Sequence, residues 1–151
     1  SQIVLGTMLA YAVVAILAIA LMTALALVVF DLSMRGNWLD YGLFVLLATI
    51  LMLGFGLAVG GWAKNSTQAD IYGQIIFISS LAFSGLWVPR ALMPEWLQNI
   101  TAYLPLTPII DGIRSIVAEG TALFSLTNEL LIIGVWAVVV FIIGIKTFKW
   151  E

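Results

Sequence analysis

The side chains able to do chemistry are few, and most of them fall in one stretch, residues 84–120. Asp111 and Arg114 lie three apart, on one face of any helix that carries both, and are spaced to form an ion pair. Glu95 and Glu119 stand on either side, so three carboxylates share the stretch and acid–base chemistry must be weighed. The chain has no histidine and no cysteine, which removes the commonest general base, the commonest metal ligand and every disulfide. No nucleophile–base constellation accompanies the acids, so an orienting ion pair is the preferred reading over a membrane enzyme. No cofactor or metal is expected. Gly56 and Gly61 have the spacing of a phosphate-binding loop, but Trp62 and Ala63 stand where Lys and Ser/Thr are required. Asn65-Ser66-Thr67 and Asn99-Ile100-Thr101 fit the glycosylation pattern, and the topology below puts them on opposite faces, so at most one could be modified.

The elements that must position these residues are apolar. Of 151 residues, 63% are hydrophobic and 9% charged, against about 25% charged in soluble domains. The net charge of −2 includes no basic patch, so a nucleic-acid partner is not expected. The class is an all-α integral membrane protein in contact with lipid. Four transmembrane helices are expected over about 3–30, 41–63, 71–88 and 130–147, in a single transmembrane domain covering 1–151. The first residues carry no charge and do not begin with methionine, so the chain reads as the C-terminal part of a larger protein. Asp31 to Asp40 forms a polar turn, with Trp38 and Tyr41 as interfacial aromatics. Gly56 and Gly60 make a small-xxx-small pair suited to helix packing, although glycine is also simply frequent in membrane helices. Lys64 to Asp70 reads as a short polar loop. Gln74 is read as bonding another helix, or as facing a substrate path. Lys146 and Lys149 follow the last span, with Phe148 and Trp150 as anchors.

All the prolines, Pro89, Pro94, Pro105 and Pro108, lie between the third and fourth expected spans. A proline-broken, charged segment cannot cross lipid as a plain helix, because every backbone group there must be satisfied within the protein. Residues 89–120 are therefore expected to form a short re-entrant or interfacial helical hairpin. Pro89 ends the third span, with Arg90 at the interface. Pro94 opens an amphipathic helix bearing Glu95 and Trp96, Thr107-Pro108 opens a second helix, and Gly120 closes it.

The same stretch resembles the membrane-spanning permease subunit of ABC transporters of the type-2, or exporter, class. The resemblance rests on FSGLWVP (Pro89), the Pro94-x-Trp96-Leu97 step, the Leu-Pro-Leu-Thr step ending at Thr107, and Arg114 in the following helix. LGFGLAVGGWAKNSTQAD is similar to the family's fourth span and the cytoplasmic loop after it, here Lys64 to Asp70. The chain would then supply the C-terminal four of six spans. The resemblance implies a cytoplasmic ABC ATPase subunit that binds the ATP, a second permease copy (identical or related), and an outer gate built from the hairpin. It also implies an apolar path for a lipophilic or amphiphilic substrate such as a drug, lipid or polysaccharide. Lysines and arginines divide evenly between the two faces, so the cytoplasmic C-terminus, in a bacterial or archaeal cell membrane, also follows from the resemblance. A non-transporting membrane scaffold is the alternative.

Overall fold

A computed structural model describes residues 2–147, with side chains from residue 5 onward; Phe148, Lys149 and Trp150 fall outside the described residues. Six α-helices follow one another: α1 (Gln2–Val29), α2 (Trp38–Trp62), α3 (Ser66–Phe83), α4 (Glu95–Ala102), α5 (Leu106–Arg114) and α6 (Thr127–Thr147). Arg90–Leu92 and Leu123–Ser125 are 3-10 turns, and Ser115–Glu119 continues α5 as a π-turn. No strand occurs among the described residues.

Three stretches are long and apolar enough to cross a membrane: Leu5–Val29, Trp38–Trp62 and Thr127–Thr147. At 18 residues α3 is about 27 Å long, close to the hydrocarbon thickness, but its first turns hold Thr67, Gln68 and Asp70. Asn65 explains why α3 begins five residues ahead of the expected position. Its side-chain oxygen accepts the Gln68 N–H at 2.8 Å, while the Gln68 side-chain oxygen accepts the Lys64 N–H at 3.2 Å. That reciprocal arrangement at an N-terminus satisfies donors that a helix otherwise leaves open. The expected polar loop from Lys64 to Asp70 thus contracts to the turn 63–65, with Asp70 on the helix. At the other end α3 stops at Phe83 rather than Val88. The Ser84 hydroxyl donates to the Leu81 carbonyl at 2.7 Å, and Gly85 turns left-handed with φ of +87°.

The core forms where α2 lies against α6. Phe44 and Leu51 are fully buried, joined by Ala48 and Ala58 of α2 and by Ile133 and Val140 of α6. Gly54 and Gly144 permit the approach. A Cβ on Gly54 would sit 2.7 Å from Val140, and one on Gly144 would sit 3.3 Å from Leu57. Helix α1 has no buried side chain among those described, and the Thr23 hydroxyl meets the Tyr41 hydroxyl at 2.7 Å, linking it to α2. Trp38 packs edge-on against Tyr41 at the start of α2.

Candidate functional site: the hairpin and the cavity beneath it

The hairpin is α4 and α5 joined by the tight turn 103–105. Pro94 caps α4 without a side-chain bond, and Glu95 lies in its first turn, where the helix dipole favours an acid. Trp96 is exposed. Two threonines, each 1% exposed, fix the hairpin: the Thr107 hydroxyl joins the helices by donating to the Thr101 carbonyl at 2.7 Å, and the Thr101 hydroxyl donates within α4 to the Gln98 carbonyl. Gln98 in turn donates to the Met93 carbonyl at 2.7 Å. Pro105 is buried at the bend, and Pro108 is buried inside the first turn of α5. The second hairpin helix starts at Leu106, one residue ahead of the expected Thr107 cap. Thr107 bonds across to α4 instead of capping its own helix.

The polar pair that secures the hairpin is Arg90 with Asp111, not Asp111 with Arg114. The left-handed Gly85 reverses the chain after α3, and Pro89 leads into the turn that carries Arg90. The Arg90 stem lies against Gly85, where a Cβ would come within 3.1 Å of it. This brings the guanidinium onto the Asp111 carboxylate across 21 residues of sequence. Arg114, the last residue of α5, is exposed, as is Glu119 at the end of the π-turn. Glu95, Asp111 and Glu119 do not gather: among the described residues no group of three or more acids could hold a metal.

The hairpin is docked on three sides. Gly112 receives the Phe44 ring of α2, with a Cβ there only 2.1 Å from the ring. The Arg35 N–H donates to the Val117 carbonyl at 3.0 Å, and Gly36 lies under the Ile116 carbonyl. Asp40 accepts the Leu123 N–H at 3.3 Å. The loop between α1 and α2 therefore shares one end of the molecule with the hairpin, and Lys64 lies at the opposite end of α2. Trp136, tenth of the 21 residues of α6, donates its indole N–H to the Tyr103 carbonyl at 2.7 Å and packs at a tilt against Phe55. The hairpin bend thus reaches halfway down α6. Nothing in the sequence pattern singled out Trp136; an indole in the middle of an apolar helix is the available signal, since its N–H requires a partner when buried.

Below the bend, α2 and α3 diverge around a cavity of about 350 Å³. Gly56 and Gly60 line it, together with Asp70, Gly73 and Ser80, and Pro105 and Leu106 close one end. The expectation that Gly56 and Gly60 pack against another helix is corrected within this chain: a Cβ at either would meet open space. The close approaches fall instead on Gly54, Gly144 and Gly112. Gln74 is exposed.

Residues 1–118 match the family model described as ABC-2 type transporter. The chain is 23% identical over 116 residues, 75% of its length, to the linearmycin resistance permease protein LnrN of Bacillus subtilis. It is 25% identical over 115 residues to the putative transport permease YvfS of the same organism. It is 23% identical over 129 residues, 85% of its length, to the probable multidrug ABC transporter permease YbhR of Escherichia coli. The matched regions make up 30%, 46% and 35% of those three proteins, so the chain spans less than half of each. No solved structure matches. A family match over more than three quarters of the sequence, on helices apolar enough to span a membrane, makes this chain a member of the ABC-2 type transporter family, an integral membrane permease component.

Proposed function

We propose that the chain is the C-terminal, substrate-conducting part of an ATP-driven exporter that moves a lipophilic or amphiphilic compound out of a bacterial or archaeal cell. Energy comes from a separate cytoplasmic ABC ATPase, and a second permease copy completes the path. The names of two relatives, a linearmycin resistance permease and a probable multidrug ABC transporter permease, support a drug as the substrate. In this reading α3 also crosses the membrane, as the third of four spans, the C-terminus is cytoplasmic, and residues 89–120 form a re-entrant outer gate.

The observation that carries the gate is the bond from Trp136 to the Tyr103 carbonyl, halfway along α6. A backbone carbonyl at that depth in lipid needs a partner from the protein, and the indole supplies it. The same argument gives Thr107 its role, since it satisfies a carbonyl at the end of α4.

Single cysteines at Ser66 and Asn99 test the topology with an impermeant thiol reagent applied to each side of the membrane. Opposite-sided labelling is expected, and labelling of both from one side refutes the four-span arrangement. Purification of the complete transporter should bring down a nucleotide-hydrolysing partner whose activity rises with an amphiphilic substrate. A permease that purifies without one refutes the ATP-driven reading.

A further inference from the structure

The cavity between α2 and α3 is not needed by the fold. Gly56, Gly60 and Gly73 create it, and a Cβ on any of them would meet nothing within 4 Å. Two polar groups face it. Asp70 lines it near the 63–65 turn, exposed and without an ion-pair partner among the described residues. Ser80 lines it near Pro105 at only 8% exposure, and its hydroxyl has no hydrogen-bond partner among the described residues. A helical serine ordinarily bonds back to its own helix, and no side-chain N or O of the described residues is both fully buried and unpartnered, so the Ser80 hydroxyl opens onto the cavity. Ser80 therefore has an open hydrogen-bonding position directed into an apolar chamber.

We infer that this cavity binds an elongated amphiphile, with a cationic head at Asp70, an apolar body against the glycines and a hydrogen-bonding group at Ser80. Ten residues of α3 separate the two polar groups, about 15 Å of helix, so the ligand is a chain rather than a compact ring. The charge is assigned by Asp70. Lys64, the nearest cation in sequence, lines a different surface with Gln68 and Tyr72, on the neighbouring face of α3. An apolar membrane helix seated in the same space would leave the Asp70 carboxylate without a partner, which favours a cationic ligand over a helix. The site rests on the transporter reading for its purpose but not for its existence.

The test uses the full chain in lipid nanodiscs and radiolabelled 10-hydroxydecyltrimethylammonium. Saturable binding of one molecule per chain is expected. Asp70→Asn should weaken it about fivefold, the value of an exposed ion pair. Ser80→Ala should weaken it about threefold, as for a neutral hydrogen bond, while leaving decyltrimethylammonium, which lacks the hydroxyl, unaffected. Gly60→Leu should abolish binding, and Gly73→Ala should reduce it with the fold intact. Glu129→Gln, which removes a carboxylate elsewhere, should change nothing. Equal binding of the anionic 10-hydroxydecyl sulfate, or binding indifferent to both Asp70→Asn and Gly60→Leu, would mean partition into lipid and overturn the site. A change of oligomeric size in Gly60→Leu with binding unchanged would make the groove a seat for a second copy and overturn it equally. The binding measurement needs no ATPase: a failed site leaves the export reading standing, and an intact site leaves export to be decided by the co-purification experiment above.

Discussion

Replacing Asp111 by Asn and Arg90 by Gln, singly and together, measures what the hairpin latch contributes. The Arg90 and Asp111 side chains retain 32% and 21% exposure respectively, so the pair lies between the exposed and the buried limits. An exposed pair contributes about 0–1 kcal/mol, whereas removing one partner of a fully buried pair costs about 3–5 kcal/mol. Each single change is therefore expected to cost about 1–2 kcal/mol. The double change should cost less than the sum of the two by about 1 kcal/mol, because no charge is then left without its partner. A cost of about 1.4 kcal/mol raises the population of detached hairpin roughly tenfold. Hydrogen exchange at the α5 amides in nanodiscs reads that population directly, and thermal unfolding in detergent supplies a second scale. Arg114→Gln is the control: the side chain is exposed and outside the ion pair, so its effect should stay within about 0.5 kcal/mol. Strictly additive losses would show that Arg90 and Asp111 do not act together. An Arg114 variant as damaging as the Arg90 variant would restore the pairing along α5 that the spacing suggests and refute the latch.

Three further outcomes follow from the packing. Gly54→Ala should lower thermal stability by about 1–3 kcal/mol through overpacking against Val140 and Phe141, while Gly56→Ala, facing open space, should leave it unchanged; equal effects would refute the assigned helix face. Gly112→Ala should release the hairpin from α2 by a similar amount, and trimming the obstructing ring with Phe44→Leu should recover part of the loss, both read as melting temperature. Trp136→Phe keeps an aromatic ring beside Phe55 but leaves the Tyr103 carbonyl without its donor, so it should cost about 1–3 kcal/mol and speed exchange around the hairpin bend. Exchange at wild-type rates there would show that water already serves that carbonyl.

The sequence exposes much of the architecture because local chemistry controls it. The apolar lengths of α1, α2 and α6, the start of α4 after Pro94 and the left-handed Gly120 all depend on residues within a turn or two of the feature itself. The site is less legible because distance and rotation control it. Arg90 and Asp111 are 21 residues apart, and only the reversal at Gly85 brings them together. Arg114 offered a partner for Asp111 at helical spacing, and local spacing carries no information about a more distant competitor. The glycines of α2 fail for a geometric reason. Gly54 and Gly56 are two residues apart, hence about 200° apart around the helix. One meets α6 and the other meets the cavity, and a small-xxx-small pattern does not say which face has a neighbour. The start of α3 could have been found. Asn65 followed three residues later by Gln68 is a helix-start signature, and the polarity of the segment concealed it.

The junction between the α1–α2 loop and the π-turn is made largely by main chain. The Arg35 N–H meets the Val117 carbonyl, the Gly36 backbone lies beneath the Ile116 carbonyl, and Gly120 faces the Arg35 backbone. Apart from the two glycines, such a seam is indifferent to which side chains its residues carry, yet it is strict about how many residues lead into it. Adding or deleting one residue between Val29 and Trp38 would shift the register and strand the Val117 carbonyl, whereas many substitutions in that loop would pass unnoticed. Tag insertion and chimera construction in this permease are thus governed at the loop by residue count rather than by residue chemistry.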